Sequence, residues 1–384
     1  MNTAKKFAFV VGVTIFWVAR SAFAQWVAYG PGPRDRHTAV FDSATNSMIV
    51  FGGTDLGTVN YNDVWVAANL LSECTPTCNL QWSFETPAGA APAPRSGHSA
   101  VYDSVNSRMM VFGGAEGFLS PCANDAWVLE NANGVGGVPT WIQLNAGGTP
   151  PPARTGQVAG YDPATNVMMV FGGSNCTGGY LSDVWVLSHA NGLGGTPTWT
   201  QLVPQGNVPP ARAYAATAYS SSSNSLVIYG GTNGTALADV WVLSGANGTT
   251  KTSSWSQASP SGTAPAPRYG TASGYDSTND RMIINSGYST KGILGDTWVL
   301  TNATGVGGLP TWVQVTTTNT GPQNYFQSGI YDASGNDLVT FAGVSERAPN
   351  PTIADDHAFV ISDANGISTS TQVGAGTSSR QANR

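Results

Sequence analysis

Short apolar runs separated by glycine-rich breaks recur along the whole chain. In the unit from Arg154 to Trp199, small and apolar residues lead to Tyr161-Asp162, and the run Met168 to Phe171 ends at Gly172-Gly173. A second apolar run, Asp183 to Leu187, precedes a last strand that carries Trp199. β-Branched and aromatic runs bounded by Gly, Pro and Asn are typical of short strands. Each unit is therefore predicted to form four antiparallel strands in one sheet.

An arginine opens each unit, and its positions count the units. It stands at Arg34, Arg95, Arg154, Arg212 and Arg268, and Asn324 takes its place in the last unit. Six units result. A residue that recurs in five units is expected to be structural, so we predict that these arginines form hydrogen bonds between neighbouring sheets. The alternative is a ring of cations that lines one mouth of a channel and attracts an anion.

A tryptophan near the end of each unit predicts how the chain closes. It occurs at Trp82, Trp141, Trp199, Trp255 and Trp312, whereas the last unit has none after Phe359. An extra one, Trp26, stands near the start of the chain. The N-terminal strand is therefore predicted to complete the last sheet. The fold class is all-β, a six-bladed β-propeller of four-stranded antiparallel blades, because radial repetition hides sheet edges.

The repeat resembles the kelch repeat from Trp26 to about Ile361. The resemblance rests on Pro94-Arg95-Ser96-Gly97-His98, the apolar run into Gly-Gly, Asn124-Asp125-Ala126-Trp127, and Trp141-Ile142-Gln143-Leu144. It implies the propeller fold. It says less about function, because propellers of this type include enzymes, sugar binders and interaction platforms.

The two ends of the chain predict export and a free tail. Lys5-Lys6 precede an apolar run from Phe7 to Val18, and a small-x-small motif ends at Ala24. We expect residues 1–24 to be a cleaved signal peptide, with a single membrane anchor as the alternative.

The propeller is predicted over residues 25–362, and a Ser/Thr/Gly-rich disordered tail over 363–384. The mature protein is expected to be secreted or periplasmic, with no membrane span.

The low content of charged residues limits the kinds of partner and site that the chain can have. Charged residues make up 10% of the chain, and the net charge is -6 with no basic run. Nucleic-acid partners are not expected, because phosphates need clustered cations. The scarcity of ionisable groups leaves few residues for a metal or acid/base site. We expect neither a metal nor a cofactor, and we expect a monomer.

The four cysteines are expected to be oxidised after export. Cys74 and Cys78 lie in one loop, and Cys122 and Cys176 lie in equivalent loops of neighbouring units. Four cysteines allow three pairings, among which the sequence does not decide. A zinc site is the alternative, but there is no second Cys-x-x-Cys and no nearby histidine pair.

Ligand-binding residues are expected in what differs between blades. The loops between the second and third strands carry aromatic, carboxylate and cationic side chains that suit stacking on sugars or peptides: Tyr61, Glu116, Phe118, Tyr180, Tyr288, Lys291, Glu346 and Arg347. The alternative for each is a solvated loop residue without a partner. We therefore expect a binding or interaction module that recognises a carbohydrate or another extracellular ligand, a glycan or a protein.

Three catalytic functions are alternatives to a binding module. Resemblance to galactose oxidase would imply two histidine ligands for copper, but His37, His98, His189 and His357 do not assemble in one pocket. Resemblance to the sialate epimerases would imply an arginine with a carboxylate at the channel mouth. Arg347 with Glu346 or Glu116 is the candidate set, and a carbohydrate-active enzyme of this kind, without a redox metal, is the alternative function. A serine hydrolase is not expected, because there is no Gly-x-Ser-x-Gly elbow.

Overall fold

The computed structural model describes residues 30–70, 80–117, 121–250, 252–317, 323–345 and 353–367. Within these ranges the chain forms one small sheet per repeat, whose main strands pair antiparallel, and a separate two-stranded hairpin; it contains no helix. The predicted all-β, six-bladed propeller is confirmed. In the described ranges no helix is long and apolar enough to span a bilayer.

The first three blades each have four strands in chain order. Blade 1 contains β1 (Thr38–Asp42), β2 (Ser47–Thr54), β3 (Asn60–Ala68) and β4 (Gln81–Glu85). Blade 2 contains β5 (Ser99–Asp103), β6 (Arg108–Phe112), β7 (Ala126–Glu130) and β8 (Thr140–Gln143). Blade 3 contains β9 (Val158–Asp162), β10 (Val167–Phe171), β11 (Val184–Ser188) and β12 (Thr198–Leu202).

The last three blades add short strands to this plan. Blade 4 contains β13 (Gln205–Gly206), β14 (Ala216–Ser220), β15 (Ser225–Tyr229), β16 (Val240–Ser244) and β17 (Ser254–Ala258). Blade 5 contains β18 (Ala272–Asp276), β19 (Arg281–Asn285), the hairpin β20 (Tyr288–Ser289) and β21 (Gly292–Ile293), β22 (Thr297–Thr301) and β23 (Thr311–Val315). Blade 6 contains β24 (Asn324–Tyr325), β25 (Ser328–Asp332), β26 (Asp337–Ser345) and β27 (Ile353–Ile361).

The core lies between blades. The aromatic residue before the glycine pair packs against the late tryptophan of the next blade, with ring centroids 4.9 Å apart for Phe51 and Trp141 and for Phe112 and Trp199. The middle strands are almost fully buried because both of their faces meet a neighbouring sheet. Burial of large aromatic side chains supplies much of the hydrophobic stabilisation of such a wedge.

The ring closes between blade 6 and blade 1 with the contacts that join the other blades. Arg34 N–H donates to Asp355 O (3.1 Å) and Gly343 N–H donates to Arg34 O (2.8 Å). The rings of Phe341 and Trp82 lie 5.1 Å apart, as in the equivalent pairs. Trp26 and the predicted closing strand lie outside the described residues.

The last blade extends past the boundary predicted at residue 362. Beyond β27 a turn continues to Ile367, and Asn365 in this turn is buried. The Asn365 side chain donates to Asp276 Oδ2 of blade 5 at 2.7 Å. This stretch of the predicted tail is therefore part of the blade, because its buried amide joins two neighbouring sheets.

Candidate functional site

The propeller has two faces, defined by their loops. The upper face holds the loops between the second and third strands and the links that lead to each innermost strand; Asp35 and Thr54 form a backbone bridge there. The lower face holds the turns between the first and second strands and the loops between the third and fourth. Asn133 of a lower loop donates to Asp42 Oδ2 of such a turn at 2.7 Å.

The repeated arginines are buried on the upper side of each blade. Nη1 and Nη2 of Arg95 contact the two carboxylate oxygens of Asp125 at 2.6 and 3.0 Å. The same guanidinium donates to Gly113 O and Ala93 O. Burial raises the pKa of Asp125, but hydrogen bonds from Arg95 and Trp127 outweigh it, so that the pKa is lower than usual. Four other blades repeat the pair: Arg34–Asp63, Arg154–Asp183, Arg212–Asp239 and Arg268–Asp296.

This arrangement differs from both expectations for the arginines. The side chains bond within their own blade, and only the arginine backbone crosses to a neighbour, as in Gly53 N–H to Arg95 O (2.9 Å). The carboxylate, bound through both oxygens, and two backbone carbonyls accept hydrogen bonds from the guanidinium donors. Full burial also keeps the guanidinium out of contact with solvent. These five cations therefore do not present a ring for an anion.

Six backbone hydrogen bonds form a closed ring around the channel, two residues after each repeat arginine. The N–H of each ring residue donates to the carbonyl of the previous one at 2.7–3.0 Å, in the order Arg36, Gly97, Gly156, Tyr214, Gly270, Phe326 and back to Arg36. All six residues have φ between 52° and 67°. Glycine adopts this left-handed region easily, but a bulky residue there is strained.

The three bulky side chains of the ring lean over their neighbours. A Cβ placed on Gly156 would lie 2.8 Å from the ring of Tyr214, and one on Gly270 would lie 2.8 Å from Phe326. The Arg36 guanidinium lies over the Phe326 ring, 4.1 Å from its centroid. Glycine at two positions thus makes room for the aromatic side chain that follows it. Together Arg36, Tyr214 and Phe326 cover the upper mouth of the channel.

Three half-buried tyrosines extend this cover into an aromatic surface. Tyr288 and Tyr325 have ring centroids 5.0 Å apart, Tyr269 and Tyr288 5.6 Å, and Tyr325 and Phe326 4.8 Å. We call Tyr269, Tyr288, Tyr325 and Phe326 the aromatic platform. Burial raises the pKa of Tyr269, and the nearby Tyr325 and Tyr288 raise it further. Its hydroxyl is therefore a neutral hydrogen-bonding group at physiological pH.

Arg36 places a cation at the edge of the aromatic platform. Its Nη1 pairs with Asp35 Oδ1 at 2.9 Å, and the side chain is 30% exposed. Burial raises the pKa of Asp35, and the opposing effect of the Arg36 charge is smaller, so the pKa is higher than usual. Cation–π contact with Phe326 adds to the attraction that holds the guanidinium over the ring.

The residues predicted to bind ligand are partly brought together. Tyr288 is in the aromatic platform, and Tyr180 is near enough to raise the pKa of Tyr269. The Arg34 guanidinium lies over the Tyr61 ring, 4.7 Å from its centroid, and Glu116 Oε1 is 3.7 Å from Arg95 Nη2. Both side chains therefore contact the repeated arginines and not the aromatic platform. Lys291 is exposed in the β20–β21 turn. Phe118, Glu346 and Arg347 lie outside the described residues.

Sequence reasoning missed most of the aromatic platform. Tyr269 and Tyr325 follow the repeat arginine or its replacement, and Arg36, Tyr214 and Phe326 occupy the position that is glycine in the other blades. The sequence signal that could have revealed these residues is the replacement of glycine at this position in three blades. A non-glycine residue at a repeated glycine position marks a blade that differs from the others.

One disulfide joins neighbouring loops of the upper face. Cys122 of blade 2 is bonded to Cys176 of blade 3, with Cα atoms 5.7 Å apart. This is one of the pairings that the sequence left open. Cys74 and Cys78 lie outside the described residues.

The histidines of the repeat are buried between blades. Nε2 of His37 lies 2.7 Å from Ser328 Oγ, and Nε2 of His98 lies 2.8 Å from Thr38 Oγ1. Burial lowers the pKa of both imidazoles, that of His98 to about 3. Both imidazoles are therefore neutral, and each forms a hydrogen bond to a neighbouring blade. In the described part of the chain, the side chains placed close enough together to hold a metal are those of Asp355, Asp356 and His357.

Comparisons with known proteins agree with this architecture. The model of the KLHDC2/KLHL20/DRC7 Kelch-repeats domain matches residues 71–249. Human Host cell factor 1 is 29% identical over 230 residues, which are 56% of this chain and 10% of that protein. An F-box/kelch-repeat protein of Arabidopsis thaliana is 24% identical over 351 residues, 86% of this chain and 70% of that protein.

The chain spans about a tenth of the length of the Host cell factor 1 proteins that it matches. Among solved structures, that of YjhT superposes with a TM-score of 0.60 at 15% identity, covering 91% of this chain and 99% of the other. At that identity the likeness concerns the fold alone. The protein is a six-bladed β-propeller, and over residues 71–249 its repeats are similar to those of the Kelch-repeats domain.

Proposed function

We propose that this protein is an exported binding module that takes a carbohydrate or another extracellular ligand on the upper face. The observation that carries the proposal is the aromatic platform, in which four rings from blades 5 and 6 pack together and the Arg36 guanidinium of blade 1 lies over one of them, Phe326. Binding sites combine apolar and aromatic walls with a few oriented polar groups. The aromatic platform has this composition.

The chemistry of the aromatic platform suits a ligand with flat apolar faces and polar edges. The accessible parts of half-buried aromatic rings contact the C–H faces of a pyranose, and phenol hydroxyls bond to its hydroxyl groups. The Arg36 guanidinium adds a planar set of donors at one edge. Tyr180, in the same loop as the disulfide-bonded Cys176, is near enough to Tyr269 to raise its pKa and supplies a further phenol hydroxyl.

A protein ligand is the second candidate, and the comparisons favour it. Kelch propellers mediate protein interactions, and the similarity to Host cell factor 1 and the F-box/kelch-repeat protein is to chains of this class. Tyrosine and arginine are also the residues that dominate binding energy in protein interfaces. Both candidates use the same aromatic platform, so the variants that test them are the same.

The experiment is a glycan array screened in parallel with a peptide array, followed by titration of the best ligand. Replacing Tyr288 or Tyr325 with Ala is expected to weaken binding at least about tenfold, because a lost stacking contact of about 1.4 kcal/mol corresponds to that factor. Phe84→Ala is the matched control, since Phe84 is an exposed aromatic residue on an outer strand. Unchanged affinity in both tyrosine variants would contradict the proposed site.

Export is tested on the protein itself. If the first segment is a cleaved signal, the intact mass of protein recovered outside the cytoplasm corresponds to a chain that begins at Gln25. A chain that retains its first 24 residues and stays in the cytoplasm would remove the export claim without affecting the aromatic platform.

A further inference from the structure

The lower end of the channel is lined by aromatic side chains from all six blades. A cavity of about 320 Å³ lies inside the innermost strands. Five blades contribute a tyrosine at the same position of the innermost strand, and blade 1 contributes a phenylalanine there: Tyr102, Tyr161, Tyr219, Tyr275, Tyr331 and Phe41. Burial raises the pKa of Tyr275 to about 12. The lining is therefore uncharged.

Carboxylates surround this aromatic lining. They end the innermost strands in five blades, are almost fully buried, and are Asp42, Asp103, Asp162, Asp276 and Asp332. They accept hydrogen bonds from neutral groups: Asn191 Nδ2 donates to Asp103 Oδ2 at 2.7 Å, and Asn247 Nδ2 donates to Asp162 Oδ2 at 2.7 Å. In the described ranges none of the five forms an ion pair with Lys or Arg.

This charge distribution differs from that of the upper face. There the aspartate of five blades has an arginine beside it, whereas the described cations near the lower loops are Arg108 and Arg281. Arg108 is paired with Glu130, which leaves Arg281, a donor to Asn365 O, as one cation near five aspartates. Carboxylates around a low-dielectric opening focus a negative potential into it. The lower mouth therefore favours a cation.

Exposed apolar side chains stand in the loops around this mouth. Single exposed apolar residues are ordinary on protein surfaces. Here, however, they recur in equivalent lower loops of blades 2, 3, 5 and 6 and are Val135, Val138, Leu193, Val306, Leu309 and Ile367. Val306 is 74% exposed and Leu309 62%. The lower face thus has a negative, aromatic centre and an apolar rim.

We propose that the lower face is a second interaction surface, which takes a basic amphipathic segment of a partner protein. A Lys or Arg side chain of the partner enters the tyrosine-lined end of the channel, where the aspartates attract it and aromatic rings contact it. Apolar side chains of the same segment pack on Val306, Leu309 and their equivalents. An acidic surface repels nucleic acid and anionic lipid, and the net charge of -6 disfavours a second copy of this chain.

The test uses fluorescence anisotropy with a labelled synthetic peptide of alternating Lys and Leu. Two matched peptides carry Glu in place of Lys, or Ser in place of Leu. The Lys/Leu peptide is expected to bind at least tenfold more tightly than either, and to bind more weakly as salt rises, because salt screens the attraction. Equal binding of the Lys/Ser peptide would reduce the effect to net charge and overturn the proposal, as would equal binding of the Glu/Leu peptide.

Substitutions on the lower face test whether the peptide binds there. Val306→Ser with Leu309→Ser changes exposed loop residues and is expected to weaken binding at least fivefold. Val203→Ser is the control, because Val203 is 89% exposed in a link outside the lower loops. Tyr288→Ala, on the aromatic platform, is expected to leave this binding unchanged, which separates the two sites. No binding, binding that the loop variant leaves unchanged, or self-association that this variant abolishes would each overturn the proposal.

Discussion

The guanidinium of Arg154 is buried against the carboxylate of Asp183, with Nη1–Oδ1 and Nη2–Oδ2 distances of 2.7 and 2.8 Å. Trp185 Nε1 donates to the same carboxylate at 2.7 Å. The pair ties the link that enters blade 3 to the third strand of that blade. Because it recurs in five blades, it explains why the repeat carries Arg and Asp-x-Trp at fixed spacing.

Replacing Arg154 with Asn is expected to lower the free energy of unfolding by about 3–5 kcal/mol, because a half-buried carboxylate loses its cation. Urea unfolding measures the loss. Asn is the residue that blade 6 itself uses at this position, as Asn324, whose Nδ2 lies 3.2 Å from Asp355 Oδ2. Adding Asp183→Asn should recover part of the loss. A cost below about 1 kcal/mol for Arg154→Asn would show that the pair does not stabilise the blade.

Gly156 and Tyr214 are predicted to be coupled. Gly156→Ala places a methyl group 2.8 Å from the tyrosine ring at a φ of 67°, and is expected to cost about 2 kcal/mol or more. In a Tyr214→Gly background the clash is absent, so the same change should cost about 1 kcal/mol, the price of the left-handed backbone alone. A double-mutant cycle by thermal unfolding measures the difference. Purely additive effects would contradict the contact.

Trp26 is predicted to close the ring. Trp26→Ala should lower the free energy of unfolding by about 3–5 kcal/mol if the side chain is buried between blades 5 and 6. The control is Trp17→Ala, which changes a tryptophan within the predicted signal and should leave the mature protein unaffected. An unchanged melting temperature for Trp26→Ala would remove the predicted strand exchange.

Asp337 is predicted to make stability depend on pH. Burial, with the charges of Asp332 and Asp363, raises its pKa to about 6. The folded state therefore binds more protons than the unfolded state between about pH 4 and 6, and stability falls as pH rises through this window. Asp337→Asn mimics the protonated form and should stabilise the protein at pH 7 by about 1 kcal/mol, after allowance for solvent screening.

The gain from Asp337→Asn should vanish by about pH 4, where the native carboxyl is already protonated. Melting temperatures of both proteins between pH 4 and 8 measure it. Asp55→Asn is the control, because Thr58 and the backbone of Val59 bond to the Asp55 carboxylate and hold its pKa below the usual range. A variant that is no more stable than the native protein at pH 7 would contradict the raised pKa.

The sequence by itself determined the number of blades, their strand order and the fold. Arg154, the Gly172-Gly173 pair and Asp183 act within one repeat, and the bond partners are only 18 and 29 residues apart. Interactions this local recur at a fixed spacing, so a repeat pattern reveals them. The late tryptophans were predictable for the same reason, since each packs on the same position of a neighbouring blade.

Only the tertiary structure decided which side chains meet on the two faces. The aromatic platform joins Arg36 to Phe326, residues from opposite ends of the described chain that become neighbours because the ring closes. No periodicity in the sequence marks such a contact, since it depends on how blade 6 lies beside blade 1. The tyrosine-lined end of the channel likewise exists only when six inner strands surround one axis, because each blade alone supplies a single half-buried ring.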